Sequence, residues 1–259
     1  MLDYDEQATR YDSTRGGTPR AEAAAGAVLT LVPPSARTLL DIGCGTGLVT
    51  ERIALGRPGL RVLGADASYA MARLARQRIG AVALADARRL PLAAGAVDAV
   101  SAVWLLHLLR GDGAVREVVA EAARVLRPGG VFVATVDKDA GHDVGSDIDA
   151  VLAPCLSTRP ADAAGLVTGY AGRFGLEPAG EAGFAGHGQG RSPLRTARAV
   201  LRGDYASRLS LPGAAAARLA EELAALPDPE DPRPDPAYRL LAFRRPGGEG
   251  SAGQDPRRS

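Results

Sequence analysis

The chain has 259 residues, 46% of them hydrophobic, which suits one large domain or a domain with a substantial cap. Its formal net charge is +1, so no overall field draws nucleic acid or an anionic membrane, and two cysteines, Cys44 and Cys155, are too few for a disulfide framework or a zinc site. The opening MLDYDEQATR lacks an apolar secretory core, and no apolar run approaches the roughly 18 residues of a membrane span, so a cytoplasmic protein is expected.

Heavy use of Ala, Arg, Gly and Pro, with Lys138 the only lysine, suggests a GC-rich bacterial genome. In chain order, residues 38–42 (TLLDI) read as a short buried strand. From Leu48 the apolar residues Leu48, Val49, Ile53 and Leu55 recur at roughly helical spacing, so Gly43, Gly45 and Gly47 fall in a strand-to-helix turn. Residues 61–66 read as a second strand, and residues 68–79 as a helix capped by Ser68. A third strand is expected at 81–86 and a fourth at 97–104. Residues 113–126 set Val115, Val118, Val119, Ala122 and Leu126 on one helical face. RPGG at 127–130 is expected to break the chain before a fifth strand at 131–136. This alternation predicts an α/β fold, a mostly parallel sheet wound with helices on both faces.

Beyond it, two helices are expected at 146–156 and 161–174, and a late strand pair at 175–184 and 238–245. An insert of about fifty residues separates that pair, with helices at 193–204 and 213–226 and an extended proline-rich connector at 227–236. The Gly- and Arg-rich tail from Pro246 reads as disordered.

A glycine-rich turn between strand and helix lets a ligand approach bare backbone and the helix's unpaired N–H groups. Its spacing, G-x-G-x-G, is one residue shorter than the G-x-G-x-x-G of nicotinamide-binding turns. Asp41 near the strand end would repel a pyrophosphate and attract an ammonium group. Asp66, 19 residues after Gly47 at the end of the next strand, is placed to accept both hydroxyls of a ribose. Three strands end in an acid at one edge: Asp41, Asp66 and Asp86. A nucleoside with a positively charged tail fits them, and S-adenosylmethionine is such a molecule.

The runs LLDIGCGTG, VLGADAS, ALADARRLPL, VDAVSAVWLLHLL and VLRPGGVFVAT, in that order within residues 38–136, resemble the class I S-adenosylmethionine-dependent methyltransferases of the small-molecule type, related to the ubiquinone and menaquinone methyltransferases. The upstream YDEQATRYDSTRGG resembles that family's cap over the cofactor, and YRLLAFRR its reversed last strand. The resemblance implies a doubly wound seven-stranded sheet, with cap helices at 1–37, a core at 38–184, a helical insert acting as substrate lid at 185–236, the last strand at 237–245 and a tail at 246–259. It implies that Gly43, Gly45 and Gly47 line the methionine and ribose, and that Asp41 faces the amino group. Asp66 would hold the ribose, Ala67 and Met71 would pack on the adenine, and Asp86 and the Ala87 N–H would meet its polar edge. Trp104 and His107 would face the reaction centre. Cys44 reads as a small packing residue.

Methyl transfer needs in-line alignment and exclusion of water, with a base where the acceptor must lose a proton. His107 is the first candidate base by location, or else a histidine packed beneath the cofactor; His142 is the second. Tyr4, Tyr11 and Arg15 belong either to an ordinary cap helix or to a lid in which a tyrosine closes the site and Arg15 pairs with the cofactor carboxylate. Asp137, Asp139 and Asp143 read as a solvated acidic loop, and no metal is expected. Arg191, Arg195, Arg198 and Arg202 fall on one helical stripe, either solvated or facing an anionic acceptor. A small-molecule acceptor is expected, with no nucleic acid or membrane partner and a monomer or homodimer. The rivals are an RNA or protein methyltransferase and a non-catalytic cofactor-binding partner protein.

Overall fold

The computed structural model describes residues 11–13, 15–111, 113–156, 160–203, 205, 209 and 213–247; Tyr4 and most of the 246–259 tail lie outside them. Seven strands are present among the described residues: β1 (Thr38–Ile42), β2 (Arg61–Asp66), β3 (Val82–Leu84), β4 (Val97–Ala102), β5 (Leu126–Val136), β6 (Glu177–Ala185) and β7 (Ala237–Arg244). They form one sheet in the order β3-β2-β1-β4-β5-β7-β6. The first five pair in parallel, and β7 runs antiparallel between β5 and β6. The expected seven-stranded, mostly parallel sheet with a reversed last strand is what the chain builds. Strand order reverses between β1 and β4, and a crevice opens beyond the carboxyl ends of strands at such a point.

Because successive strand residues point to opposite faces, each central strand feeds two cores. On one face Leu39, Val62, Ala99, Val131 and Val133 meet Ala24 and Val28 of α1 (Gly17–Leu31) and Ile53 of α2 (Leu48–Gly56). α3 (Tyr69–Ile79) lies beside α2, with the Ser68 hydroxyl accepting from the Met71 N–H at 3.2 Å as its cap. On the other face Leu40, Ile42, Val100, Phe132 and Ala134 meet Val115, Val118, Val119 and Ala122 of α4 (Ala114–Val125). Val167 and Ala171 of α6 (Ala164–Arg173) complete that layer. Burying each such aliphatic side chain contributes about 1.5–3 kcal/mol, so the sheet is held by many equivalent contacts.

Two arginines close helix ends that the sequence did not flag. Arg57 donates to the carbonyls of Leu29, Val32 and Pro33 at 2.7–3.0 Å, satisfying the last turn of α1. Arg245 does the same for α4 through Ala123 and Leu126 at 3.0 and 2.6 Å.

Four local expectations are corrected. RPGG does not precede β5 but lies within it: the register slips between Val97 and Ala99, opposite Leu126 and Val131. Gly129 and Arg245 keep the loop paired through bonds of 2.8 Å, Gly129 N–H to Arg245 O and Arg245 N–H to Gly130 O. β3 is three residues long, and β4 ends at Ala102 because Trp104 turns the chain at φ 54°. The helix expected at 146–156 is a six-residue α5 (Asp147–Leu152) followed by a 3-10 turn, Ala153–Cys155, where Pro154 has no N–H to continue it.

The insert leaves β6 and re-enters β7 at the carboxyl edge of the parallel strands, where Ala185 pairs with Ala237. Its helices α7 (Pro193–Leu201) and α8 (Gly213–Ala224) enclose a small core of their own with α5, built on Ile148, Leu152, Ala197, Val200, Leu219, Ala220 and Leu223. Residues 227–236 have no regular structure, as expected. Arg191 falls before α7 and pairs with Asp149, so it leaves the stripe, while Arg195, Arg198 and Arg202 are exposed.

Candidate active site

The three turn glycines all stand at positive φ, 67°, 56° and 79°, and two of them are also closely packed. A Cβ on Gly43 would stand 2.7 Å from Leu105 Cδ1, and one on Gly47 would stand 2.9 Å from Ala75 Cα, where the start of α2 lies on α3. A Cβ on Gly45 would meet nothing within 4 Å, because this residue faces open space. The N–H groups of Gly43 and Cys44 both donate to Ala65 O, at 2.8 and 3.1 Å, lashing the turn to the end of β2. Asp66 completes the brace: one oxygen accepts from the Gly45 N–H at 2.8 Å and the other from the Ser68 N–H at 2.9 Å. A carboxylate oxygen can accept more than one bond.

Asp41 is 2% exposed and accepts from the hydroxyls of Thr50 and Ser101 at 2.6 and 2.7 Å. Burial pushes its carboxyl up to about 6, against the lowering effect of the two hydroxyls and with help from Asp66. Asp86 differs. Arg88 grips both its oxygens at 2.6–3.0 Å and, through those bonds, holds it below the usual carboxylate range. Held in this way, the Asp86 carboxylate lines the cavity, where a contact with an adenine amino group is expected. Burial raises the Cys44 thiol far above its ordinary value, in keeping with a packing role.

A cavity of about 270 Å³ opens between the turn and the N-terminal segment. It brings together Tyr11, Arg15, Asp41, Gly43, Gly45, Asp66, Ala67, Met71, Asp86, Ala87 and Trp104. Gly47 is not on its wall, since its place is against Ala75. Neither candidate base is there either. His107 sits in the 3-10 turn Leu106–Leu108, driven well below the usual histidine range by burial and then by Lys138, Arg20, Arg110 and Arg15. His142 ends the 3-10 turn Ala140–His142, with Nε2 3.2 Å from the Tyr238 hydroxyl and its ring edge-on to that tyrosine. It ties the loop after β5 to β7. In the acidic loop, Asp137 accepts from the Ala164 N–H, Asp139 stands by Lys138 and Asp143 accepts from the Gly145 N–H.

Two parts of the wall were missed by sequence reasoning. Asp12 accepts from the Thr46 hydroxyl at 2.7 Å and from Arg78 at 2.7 Å, and Arg78 also donates to Thr46 O. This clasp fastens the N-terminal segment to the glycine turn. Arg20, 8% exposed, lies over Trp104 with its guanidinium carbon 3.4 Å from the ring centroid. A signal was available: Arg20 is the one charged residue on the buried stripe Arg20, Ala21, Ala24, Ala25, Ala27 and Val28 of α1.

Comparison with known proteins agrees with this geometry. Residues 40–134 match the family described as a methyltransferase domain. The ubiquinone/menaquinone biosynthesis C-methyltransferase of Acidiphilium cryptum is 42% identical over 115 residues, 40% of this chain and 44% of that protein. The tRNA (carboxymethyluridine(34)-5-O)-methyltransferase of Arabidopsis thaliana is 30% identical over 134 residues, 51% of this chain and 31% of that protein. The chain spans less than half the length of these curated relatives. In fold, the crystal structure of the cyclase SpnF superposes with a TM-score of 0.60 at 21% identity, over 95% of this chain and 94% of that one. No helix among the described residues is long and apolar enough to cross a membrane. With the matched motifs spanning the glycine turn, the acid-tipped strands and β4–β5, residues 40–134 carry a methyltransferase domain of the class I, S-adenosylmethionine-dependent kind.

Proposed function

We propose that the protein transfers the methyl group of S-adenosylmethionine to a small-molecule acceptor by in-line displacement. The observation that carries this reading is the composition of one cavity. Gly45 offers open space beside its backbone, Asp66 and Asp41 present carboxylates, and Met71, Ala67 and Ala87 supply apolar surface, all lining one cavity. That set suits a ribose, an ammonium group and a purine. The cofactor, when bound, supplies an already electrophilic methyl carbon. The chain's own work is to hold and orient: Asp66 fixes the ribose hydroxyls, Asp41 the amino group, and the Tyr11–Arg15 segment covers the site and pairs with the carboxylate. Closure by that segment excludes water, and orientation of this kind supplies about 7–11 kcal/mol of barrier reduction.

The absence of both histidines from the described cavity wall favours an acceptor that is already nucleophilic when it enters. A net charge of +1 and an aromatic content of 4% favour a small acceptor over a nucleic acid, and the insert at 185–236 is read as the lid that selects it. Calorimetry tests the cofactor: S-adenosylhomocysteine should bind and NAD should not, and the reverse result refutes the reading. Mass spectrometry with isotopically labelled cofactor, offered metabolite pools and bulk tRNA in parallel, tests the acceptor class.

A further inference from the structure

The cavity's lining includes Asp41 and Asp66 by the glycine turn, and also Arg20 stacked on Trp104. Arg20 is 8% exposed, yet no carboxylate among the described residues forms an ion pair with it. One Nη donates to Arg15 O at 3.0 Å, the Tyr11 hydroxyl also accepts from the guanidinium, and the buried Nε finds no partner among the described residues. The buried indole N–H of Trp104, against the same guanidinium, finds none either. Both are donors with no acceptor capacity, and the guanidinium that lines the cavity is left without an anion among the described residues. A buried charge without a counter-ion costs several kcal/mol, and burial disfavours the charged form here; an arginine stays protonated regardless and keeps its demand for an anion.

The platform is also held rigidly. Phe184 and Tyr238 pack edge-on to the indole at centroid distances of 5.4 Å each. Trp104 stands at φ 54°, a costly conformation for a bulky residue, with its backbone N–H on the Thr135 hydroxyl at 3.1 Å. Strain of this kind is kept where the surroundings over-determine a ligand-facing residue.

We propose that Arg20 and Trp104 form the acceptor subsite, and that they recognise a carboxylate on an otherwise apolar acceptor. The inference rests on the methyl-transfer reading and adds the chemical class of the substrate. A carboxylate matches the planar guanidinium fork, and the neighbouring wall, Val103, Leu105, Leu108 and Ala21, suits an apolar body. Arg15, a second arginine on the cavity, serves the cofactor's own carboxylate. An acceptor bound as an anion also enters without a proton to shed at that group.

Trp104 is the sole tryptophan, so its emission reports the subsite directly. The full chain, saturated with S-adenosylhomocysteine, is titrated with hexanoate, benzoate and cinnamate and with the matching primary amides. At least one acid should perturb the emission and saturate at about tenfold lower concentration than its amide, the worth of a charge-assisted bond. Arg20→Met should erase the difference, and Arg20→Lys should keep part of it. Adenosylhomocysteine affinity in Arg20→Met should stay within about threefold of the parent. The proposal is overturned if no acid binds, or if acid and amide are equivalent in every pair. It is equally overturned if Arg20→Met weakens adenosylhomocysteine about tenfold, which would hand Arg20 to the cofactor's carboxylate. Should the variant not fold, the acid–amide comparison on the parent chain decides. A parent that fails to bind adenosylhomocysteine at all strikes the cofactor reading instead, a separate outcome.

Discussion

Residues 38–136 and the insert at 185–236 are fastened to the molecule in opposite ways. The first region is buried on both faces of the sheet, and its site residues hang on backbone bonds repeated along parallel registers. The insert has a small core, built with α5, and is pinned by charges. Arg191 joins Asp149 and donates to His142 O, while Arg233 grips both oxygens of Asp147 at 2.7–2.8 Å and the carbonyls of Pro227 and Asp231. Packing spreads its stabilisation over many contacts, whereas a buried charged pair concentrates it in one. The catalytic platform should therefore yield gradually to mutation, and the insert abruptly.

The sharpest way to break that contrast is Arg191→Met. It leaves the nearly buried Asp149 without its guanidinium, which should cost about 3–5 kcal/mol and loosen α7 and α8 ahead of the sheet. Hydrogen exchange resolved by segment should show protection lost at 193–224 and retained at 38–42 and 131–136.

Next in size is Asp66→Ala, which removes both the ribose acceptor and the Gly45 brace. Adenosylhomocysteine affinity should fall by about 2–4 kcal/mol in calorimetry, with little change in the melting temperature because the residue caps a strand outside the core.

A smaller effect follows from Asp41. Its native carboxyl is raised to about 6 from 3.8, so between those values the native chain holds a proton that the unfolded chain has lost. Its contribution therefore favours the fold below that window and declines as pH rises through it. An ammonium ligand reverses the preference, because it binds the ionised form. Adenosylhomocysteine affinity should rise about tenfold from pH 5 to 7, and Asp41→Asn should flatten the profile.

The smallest change is expected from Arg195→Ala with Arg198→Ala. Both side chains are exposed, and stability and adenosylhomocysteine affinity should move by less than about 0.5 kcal/mol. A large loss in either would show that the insert bears on the cofactor edge.

What the sequence made legible follows the same division. Periodicity located the strands and helices of the sheet because burial on two faces leaves unbroken apolar runs such as 38–42 and 131–136. The glycine turn and Asp66 could be read because backbone geometry dictates them locally. The clasp of Asp12 on Thr46 and Arg78 could not, since it joins residues 34 and 66 positions apart. Nor could the histidines be placed. His107 and His142 lie near the right strand ends in sequence, but 3-10 turns direct them into packing. The arginine stripe failed at Arg191 because the helix begins two residues later, behind the Ser192 cap.

The antiparallel β7 has a consequence for how the chain assembles. It is the last strand in sequence and lies between β5 and β6, so both of those strands face an empty slot until residues 237–244 emerge during synthesis. Until then β5, buried along most of its length in the finished sheet, is an open edge. Unpaired edges are templates for other chains. Nascent chains stalled short of residue 237 are the ones that leave β5 open to aggregation, and pairing with β7 is the step that covers it.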